Sequence, residues 1–388
     1  MEAAFIAAIV AAPKTVEPWL AYRDWLLERR DRRGEWIRLA LEGGEEVSRR
    51  RLIPEEGLLT ARLNEQAHLL NFGWWRGFIV SAALIGAMDD PPTFETIDAL
   101  FADPHTALLS NLGIGHPITE TVPLWQAVLA TERPTITKLH ATDLGSGLQE
   151  IGRKLPRLRS LVLGSMTVRV LSDERIEHDQ LRHLVTDARS CPALSSGNFK
   201  LPNLESLTWQ MFEFSEVSDR EAAPLSSELF TASRSILHRA PPSLVELKLS
   251  GSMSSARDLR TLSEGRELGL LESCPALVQL RRLHLSLGMT TYAVLRELLS
   301  RAGSFRHLES IEVTDLGRRP RDEVDAIKAD LERALPNTKL DVRWEDLIRN
   351  DPNAPSNRPD VVDSQSRNKD GRIDAIARWM SSGGSRHG

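Results

Sequence analysis

Cysteine is nearly absent. Cys191 and Cys274 are the only two in 388 residues, too few for a disulfide framework. Basic charge is not in excess either: 49 Lys and Arg stand against 54 Asp and Glu, a formal net charge of −5. That balance argues against a general polyanion-binding field, so no nucleic-acid partner is expected. No apolar run approaches the ~18 residues of a membrane span, so no membrane partner is expected. The start, MEAAFIAAIVAAPK, is apolar but carries Glu2 and lacks a basic leader. Phe5, Ile6, Ile9 and Val10 share one helical face, which reads as a first helix rather than a signal peptide. A cytoplasmic location is the default expectation.

Catalytic signatures are missing too. The sequence has no P-loop, dinucleotide fingerprint, zinc-protease helix or nucleophile elbow. GSGLQEIG (145–152) lacks the lysine and hydroxyl spacing of a phosphate loop and reads as a strand-to-helix turn capped by Ser146. Cys191 and Cys274 sit in the same SCPAL context, which favours repeat packing over a reactive thiol. His178 and His183 lie near Asp179, but no convergent cysteine or carboxylate spacing supports a metal, and they read as a solvated pair. No catalytic residue, metal or cofactor is expected.

Tryptophan, by contrast, is plentiful near the N-terminus. AYRDWLLERRDRRGEWIRL (21–39) sets Trp25 and Trp36 among charges of both signs. Pro18 suits a first helical turn, and Trp19, Tyr22, Trp25, Leu26 and Arg29 recur at helical spacing. Gly34 reads as a C-terminal cap, followed by a second helix through Trp36, Ile37, Leu39 and Ala40 that stops at Gly43 and Gly44. Over residues 1–44, seven Lys or Arg balance seven Asp or Glu. The basic clusters therefore read as the wet side of small helices rather than as an RNA surface. Large indoles supply buried area that so short a module otherwise lacks.

Residues 5–43 resemble a short bacterial N-terminal module, the repeat-companion domain, which precedes repeat arrays. Tyr22, Asp24, Trp25, Leu26, Glu28, Arg33, Gly34, Glu35, Ile37, Arg38 and Leu39 match its pattern. Arg23 replaces a small residue and Trp36 a phenylalanine, while Arg30 and Arg32 replace the glycine and proline around Asp31. The resemblance implies an architecture and carries no catalytic activity.

Downstream, one template recurs: an apolar residue, another three on, another two further. It runs through Leu109, Leu112 and Ile114; Ile136, Leu139 and Ala141; Leu158, Leu161 and Leu163; Leu181, Leu184 and Thr186; Leu204, Leu207 and Trp209; and Leu244, Leu247 and Leu249. Leu280, Leu283 and Leu285, then Leu308, Ile311 and Val313, and finally Asn337, Leu340 and Val342 complete it. Central anchors lie 22 to 40 residues apart, with GFIVSAAL (77–84) as an opening strand. Helical runs fall between: Phe94, Ile97 and Phe101 share a face, as do Tyr292, Leu295 and Leu299, and Val324, Ile327, Leu331 and Leu335. Prolines in LPRLRSLVL, LPNLESLTW and PPSLVELKL aim the chain into strands. These stretches resemble degenerate leucine-rich repeats.

The expected fold is therefore α/β: a leucine-rich repeat solenoid, with parallel strands on its concave face and helices on its convex face, preceded by a small all-α module. The expected domains are 1–72 for the helical module, 73–343 for the solenoid and 344–388 for a polar linker with a short amphipathic helix. The loop 211–228 would project as a specificity element. In the tail, NDPNAPSNRPDVVDSQSRNKDG (350–371) is linker-like. RIDAIARWM (372–380) then puts Ile373, Ile376 and Met380 on one face with Trp379 beside it, either to dock a partner or to cap the array. Strand alternation points Ser160, Val162, Ser206, Thr208, Glu246, Lys248, Arg282, His284, Ser310 and Glu312 to the open face. Such a surface suits recognition of a partner protein, an enzyme or assembly component. The competing reading is an effector enzyme whose active site is unrecognised.

Overall fold

A computed structural model describes residues 1–51, 59–85, 90–114, 122–142, 148–164, 175–187, 198–213, 238–252, 275–286, 291–314 and 321–342. The chain divides into two units, Met1–Thr167 with Asp370–Gly388, and Val168–Lys369.

The first unit begins with α1 (Glu2–Ala11), α2 (Glu17–Glu28), α3 (Arg32–Arg51) and α4 (Ala61–Gln66). Next come β1 (Leu70–Trp75), β2 (Phe78–Leu84), α5 (Phe94–Ala102), β3 (Asn111–Ile114), α6 (Val122–Leu129), β4 (Lys138–Thr142), α7 (Leu148–Lys154) and β5 (Ser160–Gly164). Strands β2 to β5 pair in parallel, in chain order. β1 pairs antiparallel with β2 through the two-residue turn Arg76–Gly77. Both turn residues have positive φ, 50° and 82°, as a type I′ hairpin requires. The opening strand expected at 77–84 is β2; β1 was not foreseen, because a register shift at Gly73/Trp74 breaks its alternation.

The break between α2 and α3 corrects the sequence reading. Gly34 does not end a helix; it lies in the first turn of α3. The stop is at Arg30, whose φ is 58°. Asp31 N donates to Leu26 O and Arg30 N to Leu27 O, the paired bonds of a Schellman motif, whose left-handed position favours glycine. Arg30 stands where the resembled module carries that glycine. Gly34 instead permits close helix crossing: a Cβ there would lie 2.9 Å from Leu27 Cγ and 3.0 Å from Arg23 O. Gly43 and Gly44 do not stop α3, which runs to Arg51.

The two indoles of the charged stretch are both used. Trp25 stacks with Tyr22 and contacts Phe5, with centroids 6.0 and 5.7 Å away, and carries Arg29 4.0 Å above its ring. Trp36 meets Trp74 and His105 and presses on the hairpin, where a Cβ on Gly77 would approach Trp36 Cβ to 2.6 Å. Ile9, Trp19, Tyr22, Leu26 and Ile37 share one core with Phe78 and Leu108, so the helices are packed onto the first strands. Phe5, Ile6 and Val10 line the same core, as their spacing predicted.

Arg33 pins this junction. Its guanidinium, 6% exposed, donates to Asp31, Glu2, Tyr22 Oη and Pro104 O. Burial pushes the Tyr22 hydroxyl up, helped by its bond to Glu2. For Asp31 burial alone would raise the pKa, but hydrogen bonds and charge from Arg33 outweigh it, and the carboxyl sits below its ordinary range.

The second unit contains β6 (Ile176–Glu177), β7 (His183–Asp187), β8 (Phe199–Lys200), β9 (Ser206–Glu213), β10 (Glu246–Ser252) and β11 (Arg282–Ser286), then α8 (Thr291–Ser300), β12 (Ser310–Thr314), α9 (Arg321–Ala334) and β13 (Lys339–Val342). Its main sheet runs β7-β9-β10-β11-β12-β13, all parallel; β6 and β8 form a separate pair.

Every residue of the first eight anchor triplets is at most 3% exposed. Before several strands a turn closes on the first anchor: Leu158 N to Leu155 O, Leu204 N to Leu201 O, Leu244 N to Pro241 O, Leu308 N to Phe305 O. Pro156, Pro202 and Pro242 follow the first residue of such turns, where a fixed φ is favourable. Two consecutive amides then donate to one carbonyl of the preceding coil, as Val245 and Glu246 do to Glu205 O, and Arg281 and Arg282 to Val245 O. Side chains add rungs: Ser243 Oγ donates to Leu204 O, and Gln279 Nε2 to Pro241 O.

Three expectations about packing need correction. Asn337 is exposed; Thr338 takes its slot and donates from Oγ1 to Leu308 O, so the final coil is one residue short. Phe94 is 46% exposed, and the buried side of α5 is Thr96, Ile97, Ala99 and Leu100. In α8 Leu298, rather than Leu299, is fully buried beside Leu295. In α9, Val324, Ile327 and Leu331 are buried as expected, with Leu335 just beyond.

Candidate recognition surface

Strand registry decides which side chains share a surface. In the second unit, His183, Ser206, Glu246, Arg282, Ser310 and Lys339 align across six strands. Two residues on, Val185, Thr208, Lys248, His284, Glu312 and Asp341 form a second row. The buried anchors lie between these rows, so both rows point away from the core. Eight of the ten expected face residues are thus brought together: Ser206, Thr208, Glu246, Lys248, Arg282, His284, Ser310 and Glu312. Ser160 and Val162 occupy the equivalent positions on β5 of the first unit, level with Lys138 and His140 of β4.

The charges are arranged pairwise. Glu246 lies 3.3 Å from Lys248 Nζ and 3.5 Å from Arg282 Nη2. Its side chain is 21% exposed, against 41% and 55% for the two cations. The acid therefore forms a base on which two outward cations rest. His284 Nδ1 is 3.1 Å from Glu312 Oε2, within ion-pair distance but without a hydrogen bond. Across the other ring nitrogen, Thr314 Oγ1 lies 3.4 Å from Nε2. Ser206 is nearly buried and serves the floor of the surface more than its rim.

His183, Val185, Lys339, Asp341, Lys138 and His140 also occupy face positions and were not assigned to this face from sequence. The signal was present, since each flanks a central anchor by one residue. His140 is half-buried, and burial holds its imidazole below the ordinary range.

Other candidates separate. His178 is 3% exposed and its Nδ1 accepts from Gln180 N at 3.0 Å, whereas His183 is exposed on the strand face. They are not the solvated pair expected from sequence. Among the described residues no group of His, Cys, Asp or Glu could hold a metal ion, and no helix is long and apolar enough to cross a membrane. Several arginines of the charged N-terminal stretch find acids: Arg23 pairs with Asp24, and Arg38 with Glu35 and Glu42. Cys191, Cys274, Ser146, residues 214–228 of the expected specificity loop, and Ile373, Ile376, Trp379 and Met380 of the tail lie outside the described residues.

No family model matches the sequence, and no curated protein does. Among solved structures, the leucine-rich repeat-containing protein LegL7 from Legionella pneumophila is similar at 18% identity and a TM-score of 0.46, over 76% of this chain and 90% of that one. A protein from Bacteroides fragilis is similar at 16% identity and a TM-score of 0.38, over 67% of this chain. The match spans 64% of the Bacteroides protein, less than two thirds of its length. The register, the buried anchors and the amide pairs between coils define the fold directly: parallel strands repeated in phase over buried, leucine-rich anchors.

Proposed function

We propose that the chain is a non-catalytic binding subunit that recognises a partner protein through the strand face of its second unit. The observation that carries this is the pair of aligned rows on β7 and β9–β13. They present outward Lys248 and Arg282 over a shared Glu246, flanked by hydroxyls and by His284 and Glu312. Such a surface offers many modest contacts and two outward cationic anchors, one of them a guanidinium, a chemistry suited to protein recognition. Ser160 and Val162 extend the same kind of face in the first unit. The tail residues Ile373, Ile376, Trp379 and Met380 supply a second, tethered contact in this reading. The partner is an enzyme or assembly component, and the setting is the bacterial cytoplasm. The helical module at 1–72 belongs with the repeats at 73–343 as their companion.

The test is affinity capture with wild-type protein and with Lys248→Glu/Arg282→Glu, each shown by circular dichroism to be folded. The reading requires a specific partner that the double variant loses. The enzymatic alternative requires an activity of the purified chain that disappears when Cys191, Cys274, His178 or His183 is replaced in a protein that still folds.

A further inference from the structure

A half-buried guanidinium in the first unit meets no acid. Arg133 stands in the loop between α6 and β4, and its backbone is pinned. Its N–H donates to Lys154 O at 2.7 Å and its carbonyl accepts from Ile136 N, while Pro134 holds it extended. The guanidinium carbon lies 3.8 Å from the centroid of the half-buried Phe101 ring of α5. Nε is enclosed without a hydrogen-bond partner, and the side chain makes no ion pair among the described residues. Arg33, buried in the same unit, shows the contrast: it meets both Asp31 and Glu2. Burial holds the Arg133 pKa below its ordinary value, opposed only by the charge of Asp98. Asp98 is itself 62% exposed and lies 3.8 Å from Arg62, so water screens it. A guanidinium taken partly out of water without a counter-ion is costly, and an arriving anion offsets that cost.

The geometry also says which anion fits. Nε is closed off and the two Nη groups are not. Their N–H bonds lie in one plane and point the same way, which matches the paired oxygens of a carboxylate. Lys154 brings a second cation to the loop, its Nζ donating to Ala130 O at 3.0 Å. The helix ends that meet here are C-terminal ones, α6 at Leu129 and α7 at Lys154. Their partial negative charge favours a singly charged carboxylate over a doubly charged phosphate, which helix N-termini attract. We propose that Arg133, backed by Phe101, is a docking point for an Asp or Glu side chain presented by a partner protein. This site belongs to the first unit and is independent of the strand face of the second.

The probe is glutamate with acetyl and amide caps, titrated into the full chain against capped glutamine and sodium chloride at matched ionic strength. Capped glutamate should move the Arg133 Nε–Hε resonance and raise the melting temperature by about 1 °C or more at saturating concentration. Arg133→Lys should keep the charge, lose the fork and weaken binding by about tenfold. Arg133→Met should abolish the response, yet leave the ligand-free melting temperature unchanged or higher, because it removes an uncompensated charge and keeps the stem. A ligand-free melting temperature lowered by Arg133→Met would make the guanidinium a packing element and overturn the proposal. So would no response to capped glutamate, or an equal response to capped glutamine or to salt. A response to inorganic phosphate but not to capped glutamate would assign a phosphorylated ligand and overturn the carboxylate assignment. Should Arg133→Met fail to fold, the Arg133 resonance of the wild-type chain decides: a saturable shift with capped glutamate alone supports the site, and its absence rejects it.

Discussion

Arg30 and Arg33, three positions apart, show how differently one residue type can act. Arg30 occupies a left-handed position with an ordinary side chain, a conformation that costs L-residues about 1 kcal/mol or more. Replacing it with glycine should raise stability by roughly 0.5–1 kcal/mol, read as an increase in the urea midpoint at unchanged slope. Arg33 is the opposite case. Arg33→Met would strand Asp31, Glu2 and the Pro104 carbonyl around a buried gap. Because Glu2 and Asp31 are 40% and 31% exposed, the loss should be about 2–3 kcal/mol, below that for a fully enclosed ion pair. Asp103 extends this network. It accepts from Thr60 N, Thr60 Oγ1 and His105, and these bonds outweigh burial and hold its carboxyl below the ordinary range. Asp31 and Asp103 are both depressed in the folded state. Their contribution is therefore present above the unfolded value near ~3.9 and is lost as pH falls through the lower folded values. Urea midpoints measured from pH 6 down to 3 should fall, and Asp103→Asn should start lower and fall less.

Among elements, the strand and its anchor were the most legible in sequence, because an alternation repeated in phase leaves few other ways to bury leucines. Leu247, 0% exposed between neighbouring coils, should cost about 2–5 kcal/mol when cut to alanine. The hairpin was less legible. LNFGWW has no clean period, since a register shift interrupts it, and its partner Trp36 lies on a distant helix. Its turn should be unforgiving: Gly77→Ala adds a left-handed strain to a 2.6 Å approach to Trp36 Cβ. A loss of more than about 2 kcal/mol in thermal or urea unfolding is expected. Gly34 misled for a related reason. Glycine signals both helix ends and close crossings, and only the tertiary contact with Leu27 distinguishes them. Asn337 misled by one position because the final turn is shortened, which no local pattern announces.

At the scale of the molecule, the sequence specified which strand residues face outward but not how they pair. Lys248 and Arg282 are 34 positions apart, and only registry places both beside Glu246. His178 and His183 look like neighbours in sequence, yet one is buried and the other lies on the face. On the proposed reading, this registered face, rather than an enclosed reactive site, is the working part of the chain. It is tested most directly by titrating an isolated partner into wild-type protein and into folded Lys248→Glu/Arg282→Glu. The prediction is a loss of at least about tenfold in affinity, as expected for outward charged anchors. Unchanged affinity in the double variant would contradict the claim.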